Sequence, residues 1–143
     1  MKKEIWFDMD GTIANLYGVK GWLDYIIKEE TTPYEKAETL INMQVLARLL
    51  NKLQKKGYLI GIVSWTAKNG TEDYNKKVTE AKQNWLKKHL KSVTFNKIDI
   101  IKYGTPKQNN RNGILFDDEI NNRINWNDTA YDEKNIIETL KAL

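Results

Sequence analysis

Residues 5–16, IWFDMDGTIANL, set two carboxylates on alternate positions just where an apolar run stops. Along an extended strand Asp8 and Asp10 would point to opposite faces, so they act together only if the strand has ended and the backbone is turning. Gly11 supplies that turn, because glycine lets a chain leave a strand tightly and approach a ligand closely. A strand that opens the chain and ends in acids sets the question of what the acids hold.

Working outward, the apolar pattern alternates between strand and helix periods. After EIWFDM comes a polar, aromatic-rich region from Asn15 to about Asn42. A helix follows over MQVLARLLNKLQKK, with Leu46, Leu49, Leu50 and Leu53 on one face and Gly57 as its stop. YLIGIVSW reads as a strand ending at Ser64. Much of residues 72–90 reads as a long helix, since Tyr74, Val78, Ala81 and Trp85 recur at three and four residues. VTFNKIDIIKY reads as strand, GTPKQ as a turn into a short helix begun by Lys107, and GILFDD as a strand ending in Asp117 and Asp118. A last helix from about Glu133, with Asp132 as N-cap, buries Ile136, Ile137 and Leu140.

This order predicts an α/β fold: a three-layer, Rossmann-like, doubly wound parallel sheet with helices on both faces. Such sheets bind ligands outside the carboxyl ends of their strands. Asp8, Asp10, Ser64, Asp117 and Asp118 all fall there, and Lys107 can reach the same edge.

The 143 residues fit one domain, able to bury roughly two-thirds of the surface of the unfolded chain. Five Trp, seven Tyr and three Phe argue against disorder, and no apolar run approaches the ~20 residues of a membrane span. Glu4 and Asp8 interrupt the apolar start, so it does not read as a secretory signal. The absence of cysteine rules out a disulfide framework and a thiolate metal site, and is compatible with a reducing cytoplasm, the expected location. The net charge of +4 favours acidic partners such as phosphates, nucleotides or nucleic acid. Lysine pairs at 2–3, 55–56, 76–77 and 87–88 read mainly as solvated surface, the last three on helix faces, in preference to a nucleic-acid groove.

Carboxylates crowded at one sheet edge repel by roughly 4 kcal/mol per close pair at an effective dielectric near 20. They need a cation, and an oxygen-only set without His or Cys suits Mg²⁺. Ser64 can donate to a phosphate oxygen and Lys107 can set a positive charge beside it. The turn bearing Gly11 and Thr12 adds backbone donors, with Trp65 at the rim next to Ser64. Such parts orient a phosphoryl group and neutralise charge during its transfer. Singly they mean little, since Asp-Gly pairs are common turns; together, in order at successive strand ends, they favour catalysis.

DMDGT after its apolar strand resembles motif I of the haloacid dehalogenase superfamily. Ser64 after LIGIV resembles motif II, Lys107 in GTPK motif III, and ILFDDEINN motif IV in its paired-acid form. The resemblance spans residues 8–118 and implies a role for each position. Asp8 is the nucleophile, forming an aspartyl-phosphate and ligating Mg²⁺. Asp10 protonates the leaving oxygen, later deprotonates the attacking water, and offers its backbone carbonyl to the metal. Asp117 and Asp118 complete the metal set of Asp8, Asp10, Asp117 and Asp118, and Gly11, Thr12, Ser64, Trp65 and Lys107 form the phosphate-binding set. Lys82, inside the long helix, is the rival to Lys107. His89 reads as structural, a cation complementing a helix C-terminus.

Residues 15–42 exceed what the core requires, and in that family an insertion here caps the site. GWLDYIIKEE and TTPYEKAETL read as two short helices, the second opened by Thr32, Pro33 and Glu35 as a capping box. A cap this small closes only partly. Tyr17, Trp22 and Tyr25 in it, and Trp65 at the rim, either pack the cap onto the core or stack a nucleobase, with Trp65 the best placed to stack. The expectation is a Mg²⁺-dependent phosphomonoester hydrolase acting on a nucleotide, resembling 5′-nucleotidase and deoxyribonucleotidase types. The alternatives are a polynucleotide 3′-phosphatase and a non-catalytic nucleotide-binding protein of the same fold. No membrane partner is expected.

Overall fold

A computed structural model describes residues 3–143; Met1 and Lys2, part of the basic start and of the first lysine pair, lie outside the described residues. The elements are β1 (Glu4–Phe7), β2 (Ala14–Asn15), α1 (Trp22–Ile27), α2 (Thr32–Lys36), β3 (Glu38–Thr39), α3 (Met43–Lys55), β4 (Leu59–Trp65), α4 (Glu72–His89), β5 (Lys97–Ile101), β6 (Ile114–Phe116), α5 (Ile120–Asn125), β7 (Thr129–Tyr131) and α6 (Ile136–Lys141).

Five strands form a parallel sheet in the order β5-β4-β1-β6-β7. The first strand is therefore central, and the chain builds outward on one side of it and then on the other. This is the α/β architecture expected from the alternating pattern. Ile5 and Phe7 point to one face, where they join Ile60, Ile62 and Phe116 beneath Leu46, Leu50 and Leu53 of α3, Trp85 and Leu86 of α4, and Ile136 and Leu140 of α6. Trp6 points to the other face and packs with Val63, Leu115 and Trp126. Trp6 pairs in register with Gly61, and a Cβ at Gly61 would lie 2.5 Å from the indole, so only glycine lets the ring lie across β4. Arg111, paired with Asp99 at 2.8 Å, covers that indole at 5.3 Å from its centroid.

Caps act where the sequence marks them. The Asn42 side chain accepts from the N–H groups of Gln44 and Val45, Thr71 accepts from Tyr74, and Asp132 accepts from Lys134. The final helix begins as a 3₁₀ turn over Glu133–Asn135.

Four expectations need correction. Lys107 does not begin a helix: residues 107–110 are turns, and the side chain is held by ion pairs instead. VTFN is not strand, and β5 begins only at Lys97. The second cap helix takes Thr31, not Thr32, as N-cap, and Thr31 Oγ1 meets Glu35 Oε2 at 2.8 Å. His89 stacks on Trp85 at 4.4 Å between centroids, and burial, with the Lys88 charge, lowers its pKa, so it favours the neutral form over a helix-capping cation. Two elements, α5 and β7, were not anticipated.

Residues 15–42 contain α1 and α2, tied back by the two-stranded antiparallel ribbon of β2 with β3. Lys3 and the lysines at 55, 56, 76, 77, 87 and 88 are all exposed. No helix among the described residues is long and apolar enough to cross a membrane.

Candidate active site

The carboxyl end of β1 sets the floor. Phe7 pairs with Ile62 and Phe116, and one residue on, the Asp8 N–H donates to the Phe116 carbonyl at 2.9 Å, which holds Asp8 in line with the sheet. The chain then turns sharply: the N–H groups of Thr12, Ile13 and Ala14 converge on the Met9 carbonyl at 3.1, 3.0 and 2.9 Å. Gly11, at φ +84°, sits where a Cβ would fall 2.3 Å from Asp118 Oδ2 and 3.0 Å from Tyr17 Cε2. Its role is clearance for Asp118.

Gly11 and Thr12 were expected among the phosphate contacts, and the structure gives both other partners. The Gly11 N–H goes to the Ala14 carbonyl at 2.8 Å and the Thr12 N–H to Met9. The fully buried Thr12 hydroxyl donates to Asp8 Oδ2 at 2.9 Å and accepts from the Asp118 N–H at 3.1 Å. Thr12 thus fixes the Asp8 carboxylate against the Asp118 backbone.

Two buried lysines meet the acids. Lys107 donates to Asp8 Oδ1 at 2.8 Å and to Asp117 Oδ2 at 2.7 Å. Lys82, only 1 % exposed, donates to Asp10 Oδ2 at 2.8 Å, Ser64 Oγ at 2.8 Å and the Trp65 carbonyl at 2.6 Å. Three acceptors match the three donors of an ammonium. Sequence reasoning treated the lysines as rivals; the structure brings both to the site, on different carboxylates. The signal for Lys82 was present, since it lies four residues after Val78 and three before Trp85, on the buried stripe of α4.

Asp8, Asp117 and Asp118 each offer a carboxylate oxygen, all within 4.8 Å of one another. The Asp10 carboxylate stands outside that group on Lys82, and the part expected of Asp10 is its backbone carbonyl, which takes no turn hydrogen bond among the described residues. Burial, then the Asp8 charge, pushes Asp118 up to about 8. Burial and Asp8 likewise lift Asp117 to about 6, against the pull of Lys107. Burial raises Asp10 although Lys82 opposes it. For Lys107, burial works against the charge, but Asp8 and Asp117 outweigh it and hold the ammonium well above its ordinary range. Three close oxygens that do not comfortably ionise together, with no nitrogen or sulfur donor, fit a hard divalent cation such as Mg²⁺.

Above this floor opens a cavity of about 470 Å³, lined from the sheet edge by Asp8, Asp10, Ser64 and Lys107 and from residues 15–42 by Tyr17, Trp22, Leu23, Ile27 and Tyr34. Tyr25 is not among its walls. Trp65 is, but its Nε1 is committed to the Thr105 carbonyl at 2.8 Å, and its ring is flanked by Lys107 at 5.0 Å and Tyr103 at 4.9 Å. Trp65 is thus a fixed wall, less open to stacking than its position promised, and its carbonyl accepts from Lys82. Glu29 fastens the α1–α2 segment to the start of α4, accepting from the Thr71 N–H at 2.8 Å and the Thr71 hydroxyl at 3.0 Å. The Tyr74 hydroxyl adds a bond to the Glu30 carbonyl at 2.8 Å.

No protein-family model matches the chain, and no curated protein matches it in sequence. Among solved structures it is similar to the D,D-heptose 1,7-bisphosphate phosphatase of Burkholderia thailandensis, with a TM-score of 0.48 and 10% identity over 86% of this chain and 70% of that one.

Proposed function

We propose that the chain is a phosphomonoester hydrolase of the haloacid dehalogenase type, working through an aspartyl-phosphate, with a nucleoside monophosphate as substrate. One observation carries this reading: a buried carboxylate, Asp8, is held by Lys107 on one oxygen and Thr12 on the other, beside an acid pair, on the floor of an accessible cavity. A binding module has no need of so constrained a nucleophile.

An Asp8 oxygen attacks phosphorus as the ester P–O bond breaks, and Asp10, its pKa raised by burial, gives its proton to the departing oxygen. Water then attacks the aspartyl-phosphate, Asp10 takes the water's proton, and the bond from phosphorus to Asp8 breaks to release phosphate. Lys107 and Ser64 hold the phosphoryl oxygens throughout. When bound, a divalent cation held by Asp8, Asp117 and Asp118 supplies positive charge to those oxygens.

The cavity supports the nucleotide, since 470 Å³ with aromatic and aliphatic walls far exceeds the needs of a phosphoryl group. The net charge of +4 agrees with an anionic substrate. The test is phosphate release from nucleoside 5′- and 3′-monophosphates, a 3′-phosphorylated oligonucleotide and sugar phosphates, with Mg²⁺ or EDTA, for wild type and Asp8→Asn. Release from nucleotides that needs Mg²⁺ and falls at least about a thousandfold in the variant supports the reading. Preference for the oligonucleotide end or for sugar phosphates overturns its substrate, and no release from any ester overturns the activity.

A further inference from the structure

Most polar side chains lining the cavity are already spoken for. Asp8, Asp10, Ser64, Lys107 and Asp117 bond one another or Lys82, and both Glu29 oxygens bond Thr71. Four hydroxyls are exceptions among the described residues, one of them the Tyr103 phenol, whose ring lies against Trp65. Thr66 Oγ1 is buried without a hydrogen-bond partner, although Thr66 lines the cavity. The Tyr17 and Tyr34 phenols also lack a partner among the described residues.

Tyr17, Tyr34 and Thr66 each stand next to a residue of the floor. Tyr17 packs on Gly11, the point that Asp118 also crowds, and its ring is set edge-on to Trp22 at 4.9 Å, so a 47 % exposed side chain is nonetheless oriented. Tyr34 lies with its ring 5.3 Å from Lys82 Nζ, the atom that binds Asp10. Thr66 follows the end of β4 directly, two residues beyond Ser64, and its N–H is fixed on the Ile101 carbonyl at 2.7 Å. Buried polar groups are normally paired, with protein, water or ligand, so a hydroxyl with no protein partner beside a cavity is free to meet a ligand there.

Resting on the phosphomonoesterase reading, we infer that Tyr17, Tyr34 and Thr66 form a leaving-group subsite that recognises a hydroxylated, sugar-like alcohol. They are specificity-determining residues. All three are neutral and can both donate and accept, which suits the hydroxyls and ring oxygen of a pentose attached to the phosphate and suits a bare aromatic leaving group poorly.

The test compares kcat/KM for adenosine 5′-monophosphate, ribose 5-phosphate and phenyl phosphate in wild type, Tyr17→Phe, Tyr34→Phe, Thr66→Val and the triple variant. Each substitution lowers the ratio of either sugar ester to phenyl phosphate by about two- to tenfold, the span of one hydrogen bond, and the triple variant lowers it further. Thr66→Val leaves the melting temperature of the free protein unchanged or raised, because it removes a hydroxyl that has no partner. An unchanged ratio in the triple variant overturns the subsite while leaving the phosphatase reading intact. A drop in melting temperature on Thr66→Val overturns the part given to Thr66. Release of phosphate from none of the three esters overturns the activity, and the subsite with it.

Discussion

Lys82 Nζ lies 2.8 Å from Asp10 Oδ2, inside a helix whose other lysine pairs face solvent. A buried ammonium is tolerable only if its charge and its donors are met, and Asp10, Ser64 and Trp65 do this together. Removing it leaves the Asp10 side chain without its donor and the ionised form of Asp10 without a counter-charge. Lys82→Met is therefore expected to lose about 3 kcal/mol of stability, in the range for breaking a buried pair. Adding Asp10→Asn should restore part of that loss, so the two changes are less than additive. Urea unfolding of the two single variants and the double variant measures it; full additivity would mean the pair is not coupled.

Acidity and metal binding are linked at Asp117 and Asp118. Both have folded pKa values, about 6 and about 8, above the ordinary carboxylate value of 3.8. The folded state therefore binds protons more tightly than the unfolded one. The stability these groups confer is fully present below pH 3.8 and is lost as pH rises through 6 and then 8. A divalent cation competes with those protons, so its stabilisation grows over the same window. Melting temperatures in EDTA and in Mg²⁺ should diverge steadily between pH 5 and 9, and a constant gap would show that neither acid releases a proton on binding.

What the sequence made legible, and what it hid, follows from length and company. β1, β4, α3 and α4 carry enough apolar residues for their period to show, the short β6 is wholly apolar, and Asp8, Ser64 and Asp117 could be placed because each lies at the carboxyl end of β1, β4 or β6. β7 has three residues and takes its bonds from β6, and α5 has six with none buried, so neither offers a period to read. Lys82 hid among the lysines of α4 because composition is not position; only its place on the Val78–Trp85 stripe distinguishes it. The tie between Thr12 and Asp118 was hidden because the two lie 106 residues apart, whereas the turn that bears Thr12 is local in sequence.

Gly11→Ala tests whether clearance for Asp118 matters to the chemistry. The new Cβ would meet Asp118 Oδ2 at 2.3 Å, and φ +84° is a conformation that disfavours any side chain. The backbone term costs about 1–2 kcal/mol. The larger effect is on geometry, since moving Asp118 disturbs the three-oxygen cluster. Activity should fall at least a hundredfold, the scale of a misplaced group about 1 Å off, while circular dichroism still reports a folded protein. Activity within a few-fold of wild type would show that Asp118 can shift freely.

Glu29 joins the α1–α2 segment to the start of α4 at a backbone cost. Its φ of +57° is left-handed, yet its carboxylate receives both the N–H and the hydroxyl of Thr71, the N-cap residue of α4, where a negative charge also meets the positive end of the helix. Two substitutions separate these effects. Glu29→Ala loses the carboxylate and keeps the strained backbone; Glu29→Gly loses the carboxylate but relieves the strain, by about 1 kcal/mol. Stability in urea should therefore fall in the order wild type, Gly, Ala. Both variants should be cleaved faster by protease within residues 28–32, because the Tyr74 bond to the Glu30 carbonyl is then the remaining tie there. If the latch holds the cavity in shape, KM rises in both variants by more than kcat falls. Unchanged protease protection in the alanine variant would mean that the aromatic packing of Tyr34 and Tyr74 holds the segment without the latch.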